Sequence, residues 1–242
     1  MRQIIKLFRN GSVIVTGLRG RGKDMLMSNV VVRRNEPYIS NIDYGGKFLP
    51  LELDKLTCGY NTYKDFLDGT VKKYAYPYAD GIDIYMSDLG IYMPSQYCSE
   101  LNKGYGYIPT LQALIRQLGD SSFHCNCQNL NRVYDKVREQ ADQYIWCCWC
   151  KVIPLNKVLP WVNPIVIQKV RIYDKYESCL NRMLPFGVRV PLFADNNTKM
   201  MWKLQRQQYN STHGTIKERI LIYTHKSKYD TRYFKEMLNN GK

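Results

Sequence analysis

The feature that most constrains this chain is the run Gly17-Leu18-Arg19-Gly20-Arg21-Gly22-Lys23-Asp24, set between two apolar segments of different period. Residues 12–16 ahead of it are apolar and β-branched, as a buried strand requires. Residues 24–34 behind it carry Met25, Leu26, Asn29 and Val30 at the spacing of a helix packed on a sheet. A strand that enters a glycine-rich turn and leaves as a helix aims backbone N–H groups and a positive helix end at one point, which is an anion site. The run fits G-x-x-x-x-G-K. It predicts a triphosphate held by Gly17, Arg19, Gly20, Arg21, Gly22, Lys23, Asp24 and Met25, with Lys23 meeting the β and γ phosphates. The motif alone is weak, and its flanking strand and helix are what raise it. The competing reading is a glycine-rich turn that binds nothing.

The rest of the chain repeats the alternation. Strands are expected at 38–42, 82–87, 122–127 and 143–150, and helices at 109–118 and 131–140. Such an order argues for an α/β fold, a P-loop NTPase with a mostly parallel sheet flanked by helices. Residues 1–150 read as its core. Residues 151–242 read as a C-terminal extension of the same domain, with an extended hairpin or strands at 162–174, a polar helix at 198–210, an apolar run at 220–224 and a closing helix from 231. The most apolar stretch, 144–170, is broken by Lys151, Pro154, Asn156, Lys157, Pro160, Asn163 and Pro164, so no membrane-spanning helix is expected.

A second acid completes a candidate site. Residues 84–88 form an apolar strand ending in Ser87-Asp88. Many P-loop ATPases place Ser or Thr after the loop Lys, and end this second strand in Asp-Glu. Here Asp24 follows Lys23, and Ser87 precedes Asp88. The two departures are reciprocal. Asp24 and Ser87 would keep an acid–hydroxyl pair at Mg²⁺ with the partners exchanged, and Asp88 would polarise the attacking water. The rival assignment makes Asp88 the metal-orienting acid. The metal set is then Asp24, Ser87 and Asp88, with ATP as the nucleotide. Gln128, directly after the strand at 122–127, is the candidate γ-phosphate sensor. Arg116, Arg132 and Arg138 are candidates for charge stabilisation across a subunit interface. Asp88, Lys23, Gln128 and Arg116 make up the expected catalytic set.

Charge and cysteines narrow the partners. Lys and Arg total 35 against 21 Asp and Glu, a formal charge of +14, which favours an anionic partner. Lys199, Lys203 and Arg206 fall on one side of the predicted helix at 198–210. A solvated face is the plainer reading for them. The 8 cysteines follow no signal-peptide pattern, so reduced thiols are expected. His124, Cys125, Cys127, Cys147 and Cys150 could be drawn as a zinc site. Both runs read as strands with alternating faces, and buried strand cysteines fit better.

These residues together resemble the Zot-like (zonular occludens toxin) ATPases, assembly proteins of filamentous phages. The resemblance rests on the phosphate loop, on Tyr38-Ile39-Ser40-Asn41-Ile42, on Ser87-Asp88-Leu89-Gly90-Ile91-Tyr92-Met93-Pro94-Ser95, on Arg116-Gln117-Leu118-Gly119 leading to residues 123–128, and on Tyr229-Asp230-Thr231. It implies a RecA-like core related to the FtsK/HerA translocases. It implies ATP hydrolysis coupled to packaging or export of single-stranded phage DNA, by a homo-oligomer or ring in the host cytoplasm that docks on a membrane or phage-assembly partner. Two other classes stay open. One is a nucleotide or small-molecule kinase with a Gly-Lys-Asp loop. The other is a nucleotide-dependent switch that does not hydrolyse.

Overall fold

Residues 5, 7–8, 11–51, 82–92, 122–157, 159, 161–187 and 193–225 are described by the computed structural model. The first strand, β1 (Ser12–Thr16), is buried along its whole length and leads through the glycine-rich loop into α1 (Lys23–Arg34). Then come β2 (Tyr38–Ser40), β3 (Phe48–Pro50), β4 (Asp83–Met86), a four-residue α2 (Leu89–Tyr92) and β5 (Phe123–Cys127). A 3₁₀ turn (Leu130–Arg132) and α3 (Asp135–Glu139) lead to β6 (Gln143–Ile153). Strand β7 (Ile165–Tyr173), α4 (Tyr176–Leu180), α5 (Asn196–His213) and β8 (Ile216–Thr224) complete the described fold.

All eight strands join one sheet in the order β3-β2-β4-β5-β1-β6-β7-β8. The six from β3 to β6 are parallel. Strands β6, β7 and β8 are antiparallel. Strand β5 lies between β1, which carries the loop, and β4, which carries the acid. One strand thus separates the loop-bearing strand from the acid-bearing strand.

Each face of the sheet has its own core. Leu26, Met27, Val30 and Val31 of α1 pack on Val13, Val15, Ile145, Val166, Val170 and Leu221. Each such side chain removed from water contributes about 1.5–3 kcal/mol. On the other face Phe123, Cys125, Cys127 and Tyr144 meet Val137 of α3 and Cys179 of α4. The cysteines at 125, 127, 147 and 179 are buried and free. His124 lies on the α1 face, against Phe8 and Tyr85, away from Cys125 and Cys127. No group of three metal-ligating side chains of this kind occurs among the described residues.

Several elements differ from expectation in their bounds. The second strand stops at Ser40, because the Ser40 hydroxyl accepts the Ile42 N–H at 3.1 Å and turns the chain. The helix expected over 131–140 is split. Val133 is extended and fully buried between the 3₁₀ turn and α3. Strand β6 runs three residues past the expected end, because β7 continues its ladder to Ile153. Strand β3 was not foreseen. The helix expected at 198–210 begins at Asn196, where Asp195 accepts the Thr198 N–H at 3.1 Å, and none of its residues is buried. The helices expected at 109–118 and from 231 lie outside the described residues. No helix among the described residues is long and apolar enough to cross a membrane.

Candidate functional site

The loop between β1 and α1 lies flat on β6 and β7. Gly17 has φ 144° and Gly22 has φ 78°, where side chains are disfavoured. Space excludes one as well. A Cβ on Gly17 would sit 2.8 Å from the Cys147 carbonyl oxygen, and a Cβ on Gly22 would sit 2.8 Å from Cys150 Sγ. Arg19, Gly20 and Arg21 are exposed at the loop's outer turn, and Met25 packs inward on the α1 face.

Lys23 opens α1 and is buried, 6% exposed. Its ammonium donates to the carbonyl oxygens of Gly17 at 3.0 Å and Leu18 at 3.3 Å. The cation is thus held inside the curve of its own loop, beside the N-terminal end of α1, where an anion is favoured.

Asp24 faces the ends of β4 and β5. Its Oδ1 accepts from the Ser87 hydroxyl at 3.1 Å and from Asn126 Nδ2 at 2.6 Å. Asn126 also donates to Ser87 Oγ at 3.2 Å, and its Oδ1 accepts the Asp88 N–H at 2.9 Å. Ser87 is fixed from the other side by Asn41. The Asn41 carboxamide accepts the Ser87 N–H at 2.8 Å and donates to the Ser87 carbonyl at 3.0 Å. Asp88 has φ 50°, a left-handed conformation that Asp tolerates better than most residues. Burial raises the Asp88 pKa, as does the charge of Asp24, and Lys23 opposes them.

Hard oxygen donors therefore converge from three elements, with the Asp24 charge disfavouring that of Asp88. That donor set and that repulsion fit a divalent cation. Asp24, Ser87 and Asp88 are the residues that would hold it.

Two cavities flank the end of β5. One of about 250 Å³ lies against the loop and is lined by Thr16, Leu18, Gln128, Trp146 and Arg182, with the Arg182 guanidinium 4.6 Å from the Trp146 ring centre. The other, about 220 Å³, is lined by Asp88, Gly90, Gln128, Asn129 and Arg132. Gln128 borders both and is exposed. Arg132 thus shares a cavity with Asp88 of its own chain. Arg138 stacks 4.8 Å over the Tyr176 ring and donates to the Val133 carbonyl, away from both cavities. Arg116 lies outside the described residues. Lys199, Lys203 and Arg206 are exposed on α5.

Sequence reasoning missed Asn41 as a site residue, and Asn126 and Gln168 altogether. Asn126 had a signal: it is a lone carboxamide inside an apolar strand. Gln168 had one too, because the alternation of β7 puts it on the inward face with Val166 and Val170.

No family model matches the chain, and no curated relative does. Among solved structures the chain is similar to the N-terminal domain of zonular occludens toxin from Neisseria meningitidis, at 13% identity and TM-score 0.46, over 94% of this chain and 98% of that one. It is also similar to the genome packaging NTPase B204 of Sulfolobus turreted icosahedral virus 2 in complex with AMPPCP, at 13% identity and TM-score 0.41, over 73% and 95%. A third likeness is to the pCW3 conjugation coupling protein TcpA with ATPγS, at 14% identity and TM-score 0.34, over 58% and 49%.

Proposed function

We propose that this chain is a Mg²⁺-dependent ATPase whose turnover drives single-stranded DNA during phage packaging or assembly. One observation supports hydrolysis above the rest. Asp24, the residue after the loop's Lys23, is joined to Ser87 and to the Asp88 N–H through the buried Asn126, so the start of α1 and the acidic end of β4 form one hydrogen-bonded unit. The loop amides and Lys23 would bind the phosphates. Asp24 and Ser87 would hold a divalent ion, which would supply positive charge against the β and γ phosphates. Asp88, kept partly desolvated at the cavity wall, would accept a proton from the attacking water. Gln128 would orient that water, and Arg132, which lines the same cavity, would stabilise charge in cis. The DNA reading is supported by the net charge of +14 and by the resemblance to Zot-like ATPases.

The test is ATP hydrolysis by the purified chain, with and without Mg²⁺ and single-stranded DNA, beside Lys23→Ala and Asp88→Asn. Hydrolysis that DNA raises, and that falls at least about 100-fold in both variants, is the expected result. ATP binding without hydrolysis under any condition would favour the switch. Phosphate transfer to a small acceptor in preference to water would favour the kinase.

A further inference from the structure

We infer that Gln168 of β7 is a positioning residue for the phosphate loop, and that the antiparallel flank of the sheet sets nucleotide affinity through it. The inference rests on the nucleotide reading above. Gln168 is fully buried. Its Nε2 donates to the carbonyl oxygens of Arg21 and Gly22, both at 3.0 Å, and lies 3.4 Å from Cys147 Sγ. Its Oε1 accepts from the buried Tyr223 hydroxyl of β8 at 2.8 Å. The two loop carbonyls can only accept, so they fix the amide end of Gln168 toward the loop, and the Tyr223 phenol takes the donor role at the other end.

The two carbonyls matter because of where they lie. Gly22 O also accepts the Leu26 N–H at 2.9 Å, the first intrahelical bond of α1. Turning the Arg21 and Gly22 carbonyls down onto Gln168 turns the Gly22 and Lys23 amides up toward the phosphates, since the C=O and N–H of one trans peptide group point in opposite directions. The chain Tyr223–Gln168–Arg21/Gly22 therefore fixes the junction at which loop becomes helix, directly before Lys23. Lys23 bonds the other end of the loop, at Gly17 and Leu18. The two clamps use different parts of the molecule, and Gln168 touches no phosphate.

Removing Gln168's donors strips one partner from each carbonyl, leaving Gly22 O its helical bond from Leu26 and Arg21 O none among the described residues. They escape by rotating, which misaligns the amides. An isosteric carboxylate is worse, because it turns an acceptor toward two acceptors.

The experiment measures the affinity of a fluorescent ADP analogue, thermal unfolding, and backbone hydrogen exchange over residues 21–26 without nucleotide. The variants are Gln168→Met, Gln168→Glu and Tyr223→Phe, with Lys23→Ala and Ile222→Thr as controls. Gln168→Met is expected to weaken binding about 10- to 100-fold, Gln168→Glu at least as much, and Tyr223→Phe about 2- to 10-fold. Exchange over 21–26 should rise in the same order, and Ile222→Thr should match wild type in both readouts. Lower melting temperatures with unchanged affinity and unchanged loop exchange would mean that Gln168 is merely structural, and would overturn the inference. If the wild type binds no nucleotide, the nucleotide reading falls. Loop exchange then decides the positioning role alone: a rise in Tyr223→Phe upholds it and no change overturns it.

Discussion

The parallel and antiparallel parts of this sheet are built to different rules. Strands β1, β2, β4 and β5 are three to five residues long and largely buried on both faces, and Asn41, Ser87 and Asn126 at the ends of β2, β4 and β5 are tied together. Strands β6, β7 and β8 run nine to eleven residues. They bury one face against α1 and leave Ile220 and Ile222 on the other exposed at 59% and 66%. In the first region a single exchange strands a buried donor or acceptor. In the second most exchanges meet water, and Gln168 is the exception because it reaches back into the first. Chemistry is concentrated where the backbone has least freedom, and the long strands serve as its foundation.

The sharpest way to break this comparison is to exchange two residues of the parallel region. Asp24→Ser alone removes an acceptor that Ser87 and Asn126 share. It is expected to lower Mg²⁺-dependent turnover at least about 100-fold, near 2.7 kcal/mol. The double variant Asp24→Ser with Ser87→Asp restores an acid–hydroxyl pair across the same gap and should recover most of that loss. The readout is turnover against Mg²⁺ concentration. Improved turnover in Asp24→Ser alone would show that the acid and hydroxyl are not exchanged partners.

Much of the parallel region was legible in the sequence, and the reason is local. Residues 12–34 carry strand, turn and helix in one unbroken run, each with its own period and with glycines where φ turns positive. The end of β4 was legible because an apolar run stops at an acid. The hub at Asn126 was not, since its partners Asp24 and Ser87 lie 102 and 39 residues away in sequence. Only the placing of β5 between β1 and β4 creates it. Likewise the order of the flank was hidden. A long alternating strand such as β7 can pair on either side, and its β8 partner arrives only after α5. Gln168's inward position could be read from the alternation, but its target could not.

A smaller effect separates two residues of the same strand and the same face. Asn126 has all its polar atoms engaged. His124, two residues earlier, is fully buried with neither ring nitrogen hydrogen-bonded among the described residues. Burial, with the nearby Arg34 charge, holds its pKa well below 6.5. Below about pH 6.5 the unfolded chain then binds a proton that the folded chain refuses. Stability is full above that pH and falls beneath it, by up to about 1.4 kcal/mol per pH unit for one proton. His225, with its pKa also lowered by burial, adds in the same direction. Asp88 acts oppositely at lower pH, since its raised pKa lets the folded state keep a proton as pH rises above 3.8. Denaturant unfolding of His124→Phe from pH 5 to 7.5 isolates the first term. The variant should lose up to one proton's worth of slope and match or exceed wild-type stability at pH 5. An unchanged slope would place the titration elsewhere.

The smallest effect belongs to the flank's open face. Glu218 of β8 pairs with Lys169 at 2.7 Å and with Arg171 at 2.8 Å. The register explains the geometry: Arg171 stands directly opposite Glu218, and Lys169 one diagonal along. Hydrogen bonds from the Lys169 and Arg171 side chains lower the Glu218 pKa. A lowered carboxylate pKa stabilises the fold above the unfolded value of 4.5 and ceases to do so as pH falls through the folded value. All three side chains are partly solvated, so screening cuts their worth. Glu218→Gln is therefore expected to cost about 0.2–1 kcal/mol at low salt, shrinking toward zero at 1 M salt, with nucleotide affinity unchanged. Urea unfolding at two ionic strengths measures it. A loss above 2 kcal/mol, or any loss of nucleotide affinity, would mean that this face bears on the loop as Gln168 does. The division between a buried working edge and a solvated supporting flank would then fail.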